Sequence, residues 1–195
     1  MKTTNLNAII LLGIVLLQIG CFKDKIDEKK LLSDEMKGQN PYHENDKLYF
    51  ISDSAQVFVL EVSLRTSEFI EFQNGNYATN YLIEFEKTSI ISIDTTQFFG
   101  FWLEMESYSR PANYNIQFQP PIGEHMYVRF DIPLSYSNPG YTDSVYVSGK
   151  WHYDIYVKER GNIDSTTYRL YYSTELGIIK IDFSDNSTWE LLKLE

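Results

Sequence analysis

The sequence predicts an all-β domain with little helix. Its expected form is a curved antiparallel sheet, a half-barrel or a two-layer sandwich, after an N-terminal signal helix and a polar tether. Three observations carry this. From Leu48 onward Tyr, Phe, Val, Ile and Thr alternate with polar residues at period 2, the signature of half-buried strands. The runs are short and are separated by Asp, Ser, Asn, Gly and Pro. No window after residue 46 keeps a helical period, and about ten strands on roughly 150 residues fit one curled sheet or two stacked ones.

The chain opens with Lys2 and then an apolar run, Ala8 to Leu17. That run is too short to span a bilayer as a mature helix and has the length of a secretory h-region. Gly20, Cys21 and the charged stretch FKDKIDEKK follow. A small residue and then a cysteine after an h-region resembles a bacterial lipoprotein signal. The likeness is closest to the looser Bacteroidetes type, because Gln18 stands where the usual box has Leu, with Leu17 one place back. The resemblance implies cleavage between Gly20 and Cys21 and acylation of Cys21. Cys21 is also the only cysteine, so neither a disulfide framework nor a Cys-rich zinc site can form. Several acyl chains, at about 0.8 kcal/mol per buried CH₂, make a permanent anchor.

The expected domains are therefore a signal peptide at 1–20, a lipidated cysteine and flexible tether at 21–46, and a β domain at 47–195. The tether, polar and charged with one Pro and one Gly, has too thin an apolar stripe to dock as a helix. Lys23-Asp24 partly resembles the surface-export signal of Bacteroidetes lipoproteins, with Lys25 interrupting it. An outer-membrane location follows from the resemblance, with the periplasmic and cell-surface sides both open and the surface side preferred.

In order, the expected strands are 48–51, 55–65, 79–87, 89–94, 98–108, 114–119, 125–137, 144–148, 151–158, 166–173, 178–183 and 188–193. Alternation places Phe58, Leu60, Val62 and Leu64 on one face. It sets Tyr81, Ile83 and Phe85 against Glu84 and Glu86, and Phe101, Leu103 and Met105 against Trp102, Glu104 and Glu106. Phe101, Leu103, Val128, Phe130 and Ile179 are expected to share one core. The closing stretch YYSTELGIIKIDFSDNSTWELLKL reads as a β-meander in which Gly177 permits positive φ or a close backbone approach.

Tyr172, Ser173, Leu176, Gly177, Ile178, Ile179 and Lys180 resemble in kind the closing signature (W/Y)-A-x-G-V-G-L-V-K of exported bacterial proteins without an assigned function. Glu175 stands at the first glycine of that pattern. The likeness covers about residues 144–193. It implies a curved sheet like that of lipoprotein-carrier (LolA/LolB-like) half-barrels, and no reaction.

Charge narrows the partners. Against 17 basic side chains stand 27 acidic ones, a net charge of −10, and signal removal takes Lys2 with it. Such a surface repels phosphate backbones, so nucleic acid is excluded as a partner, and membrane attachment rests on Cys21. Glu84 and Glu86 beside Glu104 and Glu106 raise a calcium site or a glycosidase pair, but alternate polar residues on a strand ordinarily form a solvated face. His43, His125 and His152 belong to no HxH, HExxH or GxSxG arrangement. No enzymatic activity, catalytic residue, metal or cofactor is expected.

The 15 Tyr, 12 Phe and 3 Trp exceed what one core face needs. In WHYDIYVK, Trp151 and Tyr153 take one face and His152 and Tyr156 the other. Trp102, Tyr146, His152, Tyr156 and Tyr171 are the candidate ligand surface, for a protein or glycan partner. Four motifs, DSA, DTT, DSV and DST, resemble the D-[ST]-[AILMVT] O-glycosylation acceptor of exported Bacteroidetes proteins. They make Ser54, Thr95, Ser144 and Ser165 candidate acceptors at strand edges. The functional expectation is a lipid-anchored envelope protein acting as a binding or structural module. A carrier of acylated or apolar ligands in a half-barrel groove is the alternative, and a glycan-active hydrolase the remote one.

Overall fold

The computed structural model describes residues 26–73, 80–94, 96, 99–108, 111–120, 126–160 and 168–195. The signal, its cleavage site at Gly20, Cys21, Thr95, His125 and Ser165 lie outside the described residues.

Among the described residues, twelve strands form one strongly curled sheet, a half-barrel rather than a sandwich. In chain order they are β1 (Ile26–Lys30), β2 (Lys47–Ser52), β3 (Val57–Gln73), β4 (Asn80–Ser92), β5 (Gly100–Glu106), β6 (Ala112–Gln119), β7 (Met126–Ile132), β8 (Tyr141–Val147), β9 (Lys150–Arg160), β10 (Tyr168–Ser173), β11 (Gly177–Asp182) and β12 (Thr188–Leu194). One short helix, α1 (Asp34–Lys37), follows β1. Two antiparallel meanders, β2 to β7 and β8 to β12, are joined where β12 pairs with β2. The curl brings β7 against β9, and the Tyr168 hydroxyl on β10 bridges to β7. It accepts from the Tyr127 N–H and donates to the Tyr127 carbonyl at 3.0 Å.

The concave face holds the core. Phe101, Leu103, Val128, Phe130 and Ile179 are all buried in it. Phe101 stacks on Phe118 at 4.5 Å, and Phe58 stacks on Trp189 at 4.4 Å. Gly177, at φ +77°, faces the Tyr42 ring; an added Cβ would come within 2.0 Å of the hydroxyl. The positive-φ reading of that glycine therefore applies, and the close approach is made by a side chain and not, as expected, by a backbone.

Several boundaries differ from the alternation-based ones. The two strands expected at 79–87 and 89–94 are the single strand β4, Asn80–Ser92, and β3 runs on to Gln73 because 66–73 pair with 80–87. β7 stops at Ile132, before Pro133, which has no N–H for a ladder. A bulge between Val62 and Leu64 sends Val62 inward but Leu64 outward, so the two do not share a face. The same bulge turns Arg65 inward.

The largest correction concerns the tether. Residues 26–46 belong to the domain. β1 pairs in parallel with β4 where β5 ends. α1 is capped by Ser33, whose hydroxyl accepts from the Met36 N–H, with Asp34 and Glu35 in its first turn. Leu32, Gln39, Asn40 and Tyr42 are buried. The reading from helical amphipathicity failed because the segment docks through single anchors and polar groups, not through an apolar helix face.

Candidate functional site

Two surfaces are candidates: the concave face and the outer face of β8–β9. Below β3–β4 the concave face is polar. Antiparallel pairing puts opposed residues on one face, so Arg65, Ser67, Glu84, Glu86 and Thr88 all point inward. Glu84 and Glu86 are buried, contrary to the expected solvated face, while Glu104 and Glu106 lie on the opposite face. The four carboxylates do not cluster. Among the described residues no group of three His, Cys, Asp or Glu is placed to hold a metal ion.

The segment 31–46 crosses this face as a strap and satisfies it. Lys37 Nζ lies 2.5 Å from Glu84 Oε1, and the Leu32 N–H donates to Glu84 Oε2 at 3.0 Å. Asn40 Nδ2 donates to Glu86 at 2.9 Å and to Thr88 at 2.8 Å. Arg65 pairs with Glu86 at 3.1 Å and donates to the Tyr42 carbonyl at 2.5 Å. Burial pushes the Glu84 carboxyl up, but Lys37, the Leu32 N–H and the Ser67 hydroxyl together hold it below the usual carboxylate range. The Lys37 ammonium is raised in turn by its bond to Glu84.

Further along, the strap reaches the second meander. The Gln39 side chain bonds both backbone groups of Leu134, at 3.1 and 2.8 Å. Tyr172 donates to the Gln39 carbonyl at 2.7 Å, which leaves Tyr114 as donor to Tyr172 at 2.8 Å. The Tyr42 hydroxyl accepts from the Ile178 N–H at 2.6 Å. Burial drives all three phenols well above their ordinary range. The groove expected of a carrier is thus occupied by the protein's own chain.

The five candidate ligand residues do not converge. Trp102 sits on β5, opposite Ser89 and Gln117. Tyr171 is half-buried and donates to Asp182 at 2.8 Å. Tyr156, 6 % exposed, is a core residue packed near Tyr141. Tyr146, His152 and Tyr156 belong to one hairpin, but Tyr146 is exposed, His152 half-buried and Tyr156 buried. The aromatics that do face solvent beside Tyr146 are Trp151, 59 % exposed and 5.3 Å from its ring, and Tyr153, 66 % exposed.

Asp154 is the reason. At φ +54° it breaks the alternation, so Tyr153 points out while Ile155 and Tyr156 are both buried. The Tyr141 hydroxyl donates to Asp154 at 2.8 Å, and that carboxylate pushes the phenol up to about 12. An Asp inside a strand run is the sequence signal for such a break, since Asp tolerates the left-handed region better than most residues. Beside Trp151, His152 and Tyr153 lies a cleft of about 290 Å³ whose far wall is the turn from Ser173 to Leu176.

Of the candidate acceptors, Ser54 and its Asp53 are exposed in the β2–β3 turn. Ser144 is half-buried beside an exposed Asp143. Ser144 lies within β8, not at its end as expected, because Tyr141 and Thr142 already pair with Tyr156 and Ile155. His43 is exposed, 3.6 Å from Asp46. The chain matches no family model, no curated protein and no solved structure.

Proposed function

We propose that this chain is a lipid-anchored binding module of the bacterial cell envelope, held at the outer membrane by acylated Cys21 and recognising its partner on the outer face of β8–β9. One observation carries the choice over a carrier: the concave face is filled by Tyr42, Phe50, Tyr114, Phe130 and Tyr172, all buried, and by the strap. Recognition therefore belongs to the exposed rings of Tyr146, Trp151 and Tyr153. Their flat apolar faces, with Asp154 and Glu175 lining the adjoining cleft, suit the C–H faces and hydroxyls of an envelope glycan.

Three measurements test the reading. Cys21→Ser should abolish membrane retention in fractionated cells; a variant still cleaved and still membrane-bound removes the lipid anchor. Retention of the native protein on immobilised envelope polysaccharide should be lost in Trp151→Ala/Tyr153→Ala with the unfolding midpoint unchanged. Equal retention by the variant rejects the aromatic face. Stoichiometric uptake of a fluorescent fatty acid by the native protein favours the carrier instead.

A further inference from the structure

One end of the sheet exposes apolar side chains on both of its faces, with the exposed Glu71 beside Phe69 on one of them. β5 pairs with β4 only over residues 85–91, and the place beside residues 80–83 is taken by β1, leaving a three-stranded end, β3–β4–β1. Phe69 faces the same side as Glu84, its cross-strand partner. Ile70 and Phe72, opposite Ile83 and Tyr81, face the other side. They are 49 %, 40 % and 38 % exposed. Water-exposed apolar residues on both faces of one strand end mark a contact surface. A protein docking on a sheet ordinarily covers one face, whereas a bilayer interface surrounds an end that enters it edge-on.

The neighbours have interfacial chemistry. Lys30 Nζ lies 4.4 Å from the Tyr81 ring and 4.9 Å from the Tyr108 ring, and Tyr108 packs on Phe72 at 4.4 Å. Lys29 Nζ lies 5.1 Å from the Phe69 ring. Lysine stems lying along aromatic rings are the usual pairing at a membrane surface; Lys30 Nζ is held by the Tyr108 carbonyl at 3.2 Å, and the exposed Lys29 is the one placed to meet headgroup phosphates.

Chain length points to the same occupant. Ile26 pairs with Asn80, which pairs with Gln73, so β1 starts at the far end of the β3–β4 ladder. Four residues separate Cys21 from Ile26, and even fully extended the five steps from one to the other span at most about 18 Å. An acyl group on Cys21 would hold the start of β1, and with it this end of the sheet, within that distance of the lipid.

We infer that the β3–β4–β1 end is a second membrane contact, with Phe69, Ile70 and Phe72 seated in the interfacial layer of the bilayer that holds Cys21. The inference rests on the lipid-anchor reading. Because Cys21 is the only cysteine and is acylated in that reading, Ile70→Cys or Thr66→Cys offers a unique thiol for an environment-sensitive NBD label. Thr66 lies on the same face of β3, about 13 Å back along the strand. The acylated full chain is placed on phosphatidylethanolamine/phosphatidylglycerol vesicles with nitroxide-labelled acyl chains. NBD at position 70 should shift to the blue and be strongly quenched, while NBD at 66 stays at its solution value. Retention on the vesicles without quenching at 70 overturns the hairpin contact and leaves the anchor standing. Equal quenching at 66 and 70 overturns the seated geometry. Failure of the vesicles to retain the protein overturns the anchor and the contact together.

Discussion

The two parts of the concave face are held together by different physics. Under β5 to β7 and β10 to β12 it is apolar, and rings and aliphatic chains fill it from both meanders. Under β3–β4 it is polar, and Arg65, Glu84, Glu86 and Thr88 find their partners in a strap outside the two meanders. The apolar part needs only complementary volume, which many side-chain sets could supply. In the polar part, a donor and an acceptor must meet at each buried group, because an unmatched one costs more than a matched pair gains. A segment read as a flexible tether is therefore required for the interior of the sheet it crosses.

The largest effect is expected in the apolar part. Phe130→Ala should lower stability by about 3–5 kcal/mol in denaturant unfolding, and no single second substitution should restore it. An unchanged unfolding midpoint would place Phe130 outside the core.

The polar part should respond differently. Arg65→Met strands Glu86, yet Asn40 still donates to that carboxylate and Arg65 retains some exposure. A loss of about 2–3 kcal/mol is expected, below the full cost of breaking a buried pair. Adding Glu86→Leu should recover part of it, since two apolar groups leave no stranded charge. A double variant less stable than Arg65→Met alone would show that the Asn40 bond, not the ion pair, holds the strap.

The smallest effect is a pH dependence confined to the polar part. The folded Glu84 carboxyl is held below its unfolded value, so its contribution is complete above about pH 4.3 and is lost as pH falls through the folded value. The Lys37 ammonium is raised, so its contribution is complete below about pH 10.4 and is lost as pH rises through its folded value. The stability difference between the native chain and Glu84→Gln should be flat near neutrality and shrink in acid. A difference that grew on acidification would mean that Glu84 is not held ionised by the strap.

Legibility followed the period-2 rule. Where alternation is unbroken, as in β5 and β7, the inward residues Phe101, Leu103, Val128 and Phe130 were readable directly. Where one residue interrupts it, the reading inverted. The bulge at Val62/Leu64 moved Leu64 out and Arg65 in, and Asp154 moved Tyr153 out and Tyr156 in. The candidate ligand surface therefore kept Tyr146 and His152 but lost Tyr156, and its most exposed rings, Trp151 and Tyr153, lay just outside the chosen set.

By itself the sequence determined an all-β chain, the closing meander and the five-residue core, because these depend on local propensity and on a pattern that repeats every two residues. Tertiary structure decided that the curved sheet is a half-barrel and not a sandwich, that residues 26–46 are part of it, and that Glu84 and Glu86 are interior. Those outcomes depend on partners far apart in the chain: Lys37 with Glu84, Tyr42 with Gly177 and Ile178, Tyr168 with Tyr127. A carboxylate reads as exposed until a cation from elsewhere is brought against it, and no local period encodes that meeting.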